Sequence, residues 1–136
     1  MKAMILSGGR GKRLRPLTDT IPKPLIRINN KPLIEWKINY LKKFGIKDII
    51  ICSGYKGKKI ENYLSKKNNF GCNIEYSVES TPLGTGGAIK KAIKNIADRS
   101  FIVLNGDIIT NINLKRIMVK PNSIAAIELR TNYGTM

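Results

Sequence analysis

Apolar residues fall along this chain in two alternating patterns, short continuous runs and longer stretches of helical period. Residues 2–7 (KAMILS), 47–53 (KDIIICS), 73–78 (NIEYSV) and 100–105 (SFIVLN) are short runs, as expected of strands buried on both faces. Residues 31–44 place Leu33, Trp36 or Lys37, Tyr40, Leu41 and Phe44 at helical spacing, with Asn30 as N-cap and Gly45 as the stop. Residues 58–67 put Ile60, Tyr63 and Leu64 on one helical face, and residues 87–97 turn Ile89, Ala92, Ile93 and Ile96 inward. A helical turn near 114–118 and a strand at 123–129 complete the series. This alternation predicts an α/β domain with a mostly parallel sheet between helices.

In open parallel sheets, ligands bind beyond the carboxyl ends of the strands. The glycine-rich loop from Gly8 follows the first strand, "ESTPLGTGG" (79–87) follows the third, and "NGD" (105–107) the fourth. All of them therefore project from one edge. The sequence ends on "RTNYGTM" just after a predicted strand, as if the sheet continued in further chain and left an edge to be covered.

Composition narrows the chemistry. At 136 residues the chain is one domain. No apolar run approaches the ~20 residues of a membrane span, and residues 3–6 are too short for a signal-peptide core; the expected address is the cytoplasm. Cys52 and Cys72 form neither a disulfide framework nor a C-x-x-C site and read as packing residues. The chain has no histidine, which removes histidine triads, histidine zinc sites and a histidine base. A net charge of +16 attracts polyanions, yet pairs such as Lys42–Lys43 and Lys66–Lys67 read first as a solvated face.

The bases of "ILSGGRGKRLRPLT" (5–18) are different, being set among glycines and prolines. Crowded cations need an anion between them, and phosphate is the obvious one. The loop is not a Walker A motif, since Leu6 stands where the first glycine belongs and Arg13 follows Lys12. It is not a dinucleotide fingerprint either, because Leu14 occupies the third glycine position. What remains is a glycine loop combined with Arg13, Pro16 and a proline-framed Lys23.

"LSGGRGKRLRPLTDTIPKPLI", "ESTPLGTGGAIKKA" and "LNGDIITNINL", in that order and spacing, resemble the signature of the sugar-1-phosphate nucleotidyltransferases. The likeness runs from Met1 to about Tyr133, and "PLGTGGAI" with "NYGT" looks most like the mannose- and heptose-1-phosphate guanylyltransferases. The resemblance implies a Rossmann-like three-layer α/β/α sandwich in which residues 1–136 are the nucleotide-binding part of a single domain. The sugar-phosphate half would be largely absent.

It also implies a reaction in which a sugar 1-phosphate attacks the α-phosphorus of a nucleoside triphosphate and pyrophosphate leaves. The nucleophile is already anionic, so positioning and charge do the work rather than a general base. By resemblance Arg13 and Lys23 are the catalytic cations, Arg13 forking the β/γ-phosphates and Lys23 meeting the α-phosphate. Leu6, Ser7, Gly8, Gly9, Gly11, Lys12, Glu79, Gly84 and Thr85 are the candidate nucleotide-binding residues. Lys12 departs from the Thr or Ser usual there, setting a mobile charge where relatives have a small hydroxyl. Asn105, Gly106, Tyr133 and Gly134 are candidates for the sugar.

Asp107 is the candidate Mg²⁺ ligand, a second aspartate lying in the relatives' later half; a lone aspartate after a strand also serves as a turn or cap residue. A carboxylate at Glu79 accepts hydrogen bonds only, which suits guanine's adjacent N1–H and amino group, whereas uracil or thymine suits an amide better. A solvent-facing loop glutamate is the alternative. The expected partners are thus a nucleoside triphosphate and a sugar 1-phosphate, with no membrane and with self-association left open. Two other readings stand beside this one: a non-catalytic nucleotide-binding module of the same fold, and a basic nucleic-acid binder, which lacks aromatic residues among its basic positions.

Overall fold

The computed structural model describes residues 1–97, 100–120 and 122–125, with the backbone of 130–131 and 134–135. Four strands, β1 (Lys2–Ser7), β4 (Asp48–Ser53), β5 (Asn73–Val78) and β6 (Phe101–Asn105), form one sheet in the order β5-β4-β1-β6. Every pairing in it is parallel, with Ala3 beside Ile49 and Ile102, and Ile49 beside Ile74. The two central strands are buried on both sides, which is why their sequences are unbroken apolar runs.

Alternation along β1 and β4 divides the core into two layers. Ala3, Ile5, Ile49 and Ile51 face one way and pack with Ile34, Ile38 and Leu41 of α2 (Leu33–Lys43), Ile60 and Leu64 of α3 (Gly57–Lys66), and Leu114 of α5 (Leu114–Met118). Met4, Ile50 and Cys52 face the other way, against Ala88 and Ala92 of α4 (Gly84–Ile93). Helices thus cover both faces, giving the Rossmann-like three-layer arrangement expected.

Several boundaries differ from the sequence reading. The helix expected over 31–44 begins at Leu33 after Pro32, and Asn30 is not its cap. Asn29 and Asn30 instead take positive φ (49° and 60°) in the turn of a small hairpin, β2 (Arg27–Ile28) with β3 (Lys31–Pro32), a conformation asparagine tolerates. Lys37, not Trp36, is the buried member of the helical face; Trp36 donates its Nε1–H to the Ile28 carbonyl at 3.1 Å.

The helix expected over 87–97 starts at Gly84 and ends at Ile93, so "GTGG" is its first turn rather than a loop, and Ile93 is exposed. No strand runs through 123–125, and 126–129 lie outside the described residues. Further on, β7 (Arg130–Thr131) pairs antiparallel with β8 (Gly134–Thr135). Among the described residues, no helix is long and apolar enough to cross a membrane. α1 (Leu17–Thr20) is a single short turn that follows the glycine loop.

Candidate nucleotide-binding site

The carboxyl ends of β1, β5 and β6 open into a cleft of about 310 Å³. Of the residues singled out in the sequence, Leu6, Ser7, Gly8, Gly9, Lys23, Glu79, Gly84, Thr85, Asn105, Gly106 and Asp107 line it together. Pro24, Cys52, Pro82 and Ala88 complete the wall. Gly11, Lys12 and Arg13 are not in that wall. Arg13 and Lys12 are exposed on a 3₁₀ turn, Lys12–Leu14. Tyr133 lies outside the described residues, and Gly134 pairs with Thr131 in the terminal ladder.

The loops are fixed by backbone and hydroxyl bonds. Thr18, fully buried, donates its hydroxyl to the Gly11 carbonyl at 3.0 Å, while Tyr55 OH donates to the Thr18 carbonyl at 3.2 Å. Lys59 Nζ donates to the Thr20 carbonyl at 2.8 Å and Lys56 to the Asp19 carbonyl, so the loop's return limb is tied to the start of α3. At the "NGD" turn, Gly106 N–H donates to the Leu6 carbonyl at 2.9 Å. A Cβ on Gly106 would come within 2.5 Å of that oxygen and 2.7 Å of Ser7 Oγ; only glycine allows so close an approach.

Lys23 is presented by a short 3₁₀ turn, Lys23–Leu25, anchored by the buried Pro22 and Pro24. Its Nζ donates to Asp107 Oδ2 at 2.6 Å across the cleft. The ammonium, by that hydrogen bond first, holds the Asp107 carboxyl below its ordinary value, so it is ionised near neutrality. Glu79 also lines the cleft, its Oε2 accepting the Leu83 N–H at 3.0 Å just ahead of α4. A Cβ on Gly8 would lie 3.1 Å from Glu79 Oε1, so backbone and carboxylate meet with little space between.

Ser7 Oγ and Ser53 Oγ are buried without a hydrogen-bond partner, and Ser7 belongs to the cleft wall. Cys52, also in the wall, is inert: burial first, then the Glu79 charge, pushes its thiol up to about 11. Several exposed lysines are occupied locally, Lys58 with Glu61 at 3.0 Å and Lys42 with the Phe70 carbonyl. This fits a solvated face.

Sequence reasoning missed Thr18, whose hydroxyl closes the loop, and Lys37, which is buried and carries charge toward Asp107. For Lys37 the available signal was its position on the apolar stripe of α2. Among the described residues no group of three or more Asp, Glu, Cys or His could hold a metal ion. A divalent cation here would therefore rest on the Asp107 carboxylate and take its other oxygens from phosphate and water, a donor set that suits Mg²⁺.

The nucleotidyl transferase family profile matches residues 2–131. The chain is 41% identical over 126 residues to a D-glycero-α-D-manno-heptose 1-phosphate guanylyltransferase of Aneurinibacillus thermoaerophilus, covering 93% of this chain and 54% of the relative. It is 46% identical over 114 residues to an N-acetylmuramate α-1-phosphate uridylyltransferase of Neisseria meningitidis serogroup B, covering 83% and 49%. Among solved structures, HddC from Yersinia pseudotuberculosis complexed with GMP-PN superposes with a TM-score of 0.79 at 37% identity, over 87% of this chain and 52% of that one. The chain spans about half the length of the curated relatives it matches. With its parallel sheet, its glycine loop and its Lys23–Asp107 cleft, the chain belongs to the nucleotidyl transferase family, in the sugar-1-phosphate nucleotidyltransferase group.

Proposed function

We propose that residues 1–136 form the nucleotide-binding part of an enzyme that joins a nucleoside triphosphate, GTP first, to a mannose- or heptose-type sugar 1-phosphate. The observation that carries this reading is the Lys23–Asp107 pair, 2.6 Å apart where the loops of three strands converge on one cleft. A phosphate oxygen of the sugar 1-phosphate bonds to the α-phosphorus, the α–β P–O bond breaks, and pyrophosphate departs with the electron pair. No proton needs to move.

In this scheme Lys23 leaves Asp107 for the α-phosphate, where its charge offsets the charge that accumulates as two anions meet. Asp107, ionised, is the group that would hold Mg²⁺, which when bound neutralises phosphate charge. Glu79 accepts from the N1–H and amino group of guanine with the lone pairs that Leu83 leaves free. Asn105 and Gly106 border the sugar, and Arg13 swings from its exposed turn onto the β/γ-phosphates. The guanylyltransferase relative supports guanine, and the uridylyltransferase relative makes UTP the comparison to run.

A binding module without turnover is the second reading, favoured by the position of Arg13 outside the cleft wall. Pyrophosphate release from GTP and mannose 1-phosphate with Mg²⁺ separates the two. Release that is lost in Lys23→Ala supports the transferase; GTP binding without any release supports the module.

A further inference from the structure

Lys37 is 3% exposed, on the face of α2 that otherwise carries Ile34, Ile38 and Leu41. No hydrogen bond or ion pair reaches it among the described residues. A lysine placed so deeply without a partner is costly, and most proteins avoid it. Its ammonium is nevertheless not sealed off: the buried, unpartnered side-chain polar atoms among the described residues are Ser7 Oγ, Ser53 Oγ and Asn69 Oδ1. The stem is therefore locked in the core while the charged tip keeps a solvent opening.

Two ties on either side of Lys37 fix the helix that carries it. At the start of α2, Leu33 N–H donates to the Ile26 carbonyl at 3.0 Å, next to the turn that presents Lys23. One turn beyond Lys37, Tyr40 OH donates to the Ile112 carbonyl at 2.6 Å, in the segment that leads away from Asp107. α2 is thus a strut between the segments bearing the two charges of the cleft, and Lys37 stands midway along it. The electrostatics agree. Burial lowers the Lys37 ammonium and Asp107 raises it, while Asp107 in turn feels Lys37 as well as Lys23.

We propose that Lys37 is a further cation of the phosphate site, a positioning charge fixed behind the cleft wall that favours the bound triphosphate and disfavours a metal ion arriving at Asp107 without one. Lys23 is free to move between Asp107 and phosphate, whereas Lys37 cannot leave. Its field persists after Lys23 has transferred. It attracts phosphate oxygens and opposes a divalent cation, so the two affinities respond to it with opposite sign.

This inference rests on the triphosphate reading of the cleft, and the test keeps the two apart. GTP binding is measured calorimetrically for the wild-type chain, Lys37→Met and Lys37→Arg, once in EDTA and once with Mg²⁺. Lys37→Met is expected to bind metal-free GTP about threefold to tenfold more weakly, the scale of one unit charge acting through a partly screened path. The enhancement of binding by Mg²⁺ rises by a similar factor, and Lys37→Arg stays near wild type in both.

A residue that only fills the core would change both affinities alike and leave the Mg²⁺ enhancement fixed; that outcome overturns the proposal. If Lys37→Met fails to fold, Lys37→Gln carries the same comparison. Absence of GTP binding by the wild type under both conditions would overturn the triphosphate reading and this inference with it. Normal wild-type binding with an unchanged enhancement in the variant would overturn this inference alone.

Discussion

Lys23 and Asp107, 84 residues apart in sequence, meet at 2.6 Å across the cleft. Each is the other's partner in the structure, and each is assigned a different partner in the proposed reaction. Binding must therefore separate them. In metal-free buffer, Asp107→Asn releases Lys23 and is expected to tighten GTP binding by about twofold to fivefold, the range of a partly exposed ion pair. The decisive control is the double variant. If the gain comes from freeing Lys23, Asp107→Asn has no effect in a Lys23→Gln background; a gain that persists there is general charge relief and contradicts the exchange.

The same pair sets an acid dependence. The folded-state carboxyl of Asp107 lies below its ordinary value of 3.8, mainly through its hydrogen bond from Lys23. A depressed carboxyl contributes stability that is fully present above the unfolded value and is lost as pH falls through the folded one. The stability difference between wild type and Asp107→Asn should therefore be constant from pH 7 to about 5 and shrink below about 4. Urea titrations across that range check it. A difference that grows on acidification would show that the pairing is misassigned.

Gly106→Ala places a methyl within 2.5 Å of the Leu6 carbonyl oxygen. Backbone on both sides must shift, at an expected cost of about 1–3 kcal/mol. Because Gly106 N–H also bonds that carbonyl, nucleotide binding should weaken with stability. Wild-type stability and affinity in this variant would mean that β1 and the "NGD" turn are not in close contact.

The two helical faces offer a paired test of packing. Ile38→Ala empties a fully buried site on α2 and should cost about 2–5 kcal/mol. Ile93→Ala, at a 40% exposed position on α4, should change stability by no more than about 0.5 kcal/mol. Equal costs from denaturant melts would restore the inward orientation that the sequence pattern assigned to Ile93.

Why some of this was legible in sequence and some was not follows from the residues. β1 and β4 were plain because strands buried on both faces must be apolar without interruption, and residues 3–5 and 49–52 are. The start of α2 is hidden by Asn30, which reads as a cap but joins Asn29 in a turn with positive φ. The start of α4 was hidden by glycine, a poor helix former, although Gly84, Gly86 and Gly87 all lie in its first turn.

The glycine loop, Lys23, Glu79 and Asp107 stand out by motif and resemblance, and Gly8, Gly9, Lys23, Glu79 and Asp107 meet in one cleft. That Lys23 grips Asp107 rather than standing free, and that Arg13 stands outside the wall, depended on side-chain geometry that spacing does not encode. Lys37 is one basic residue among 25, and only its burial distinguishes it.

The most direct measurement is calorimetric titration of the chain with GTP, dTTP, UTP, CTP and ATP in Mg²⁺ at moderate salt, repeated with Lys23→Ala and Glu79→Gln. The prediction is a clear preference for GTP that collapses in Lys23→Ala and turns toward UTP in Glu79→Gln. Equal weak binding of all five nucleotides, fading as salt is raised and indifferent to Lys23, would reduce the cleft to a charged surface and contradict the proposed function.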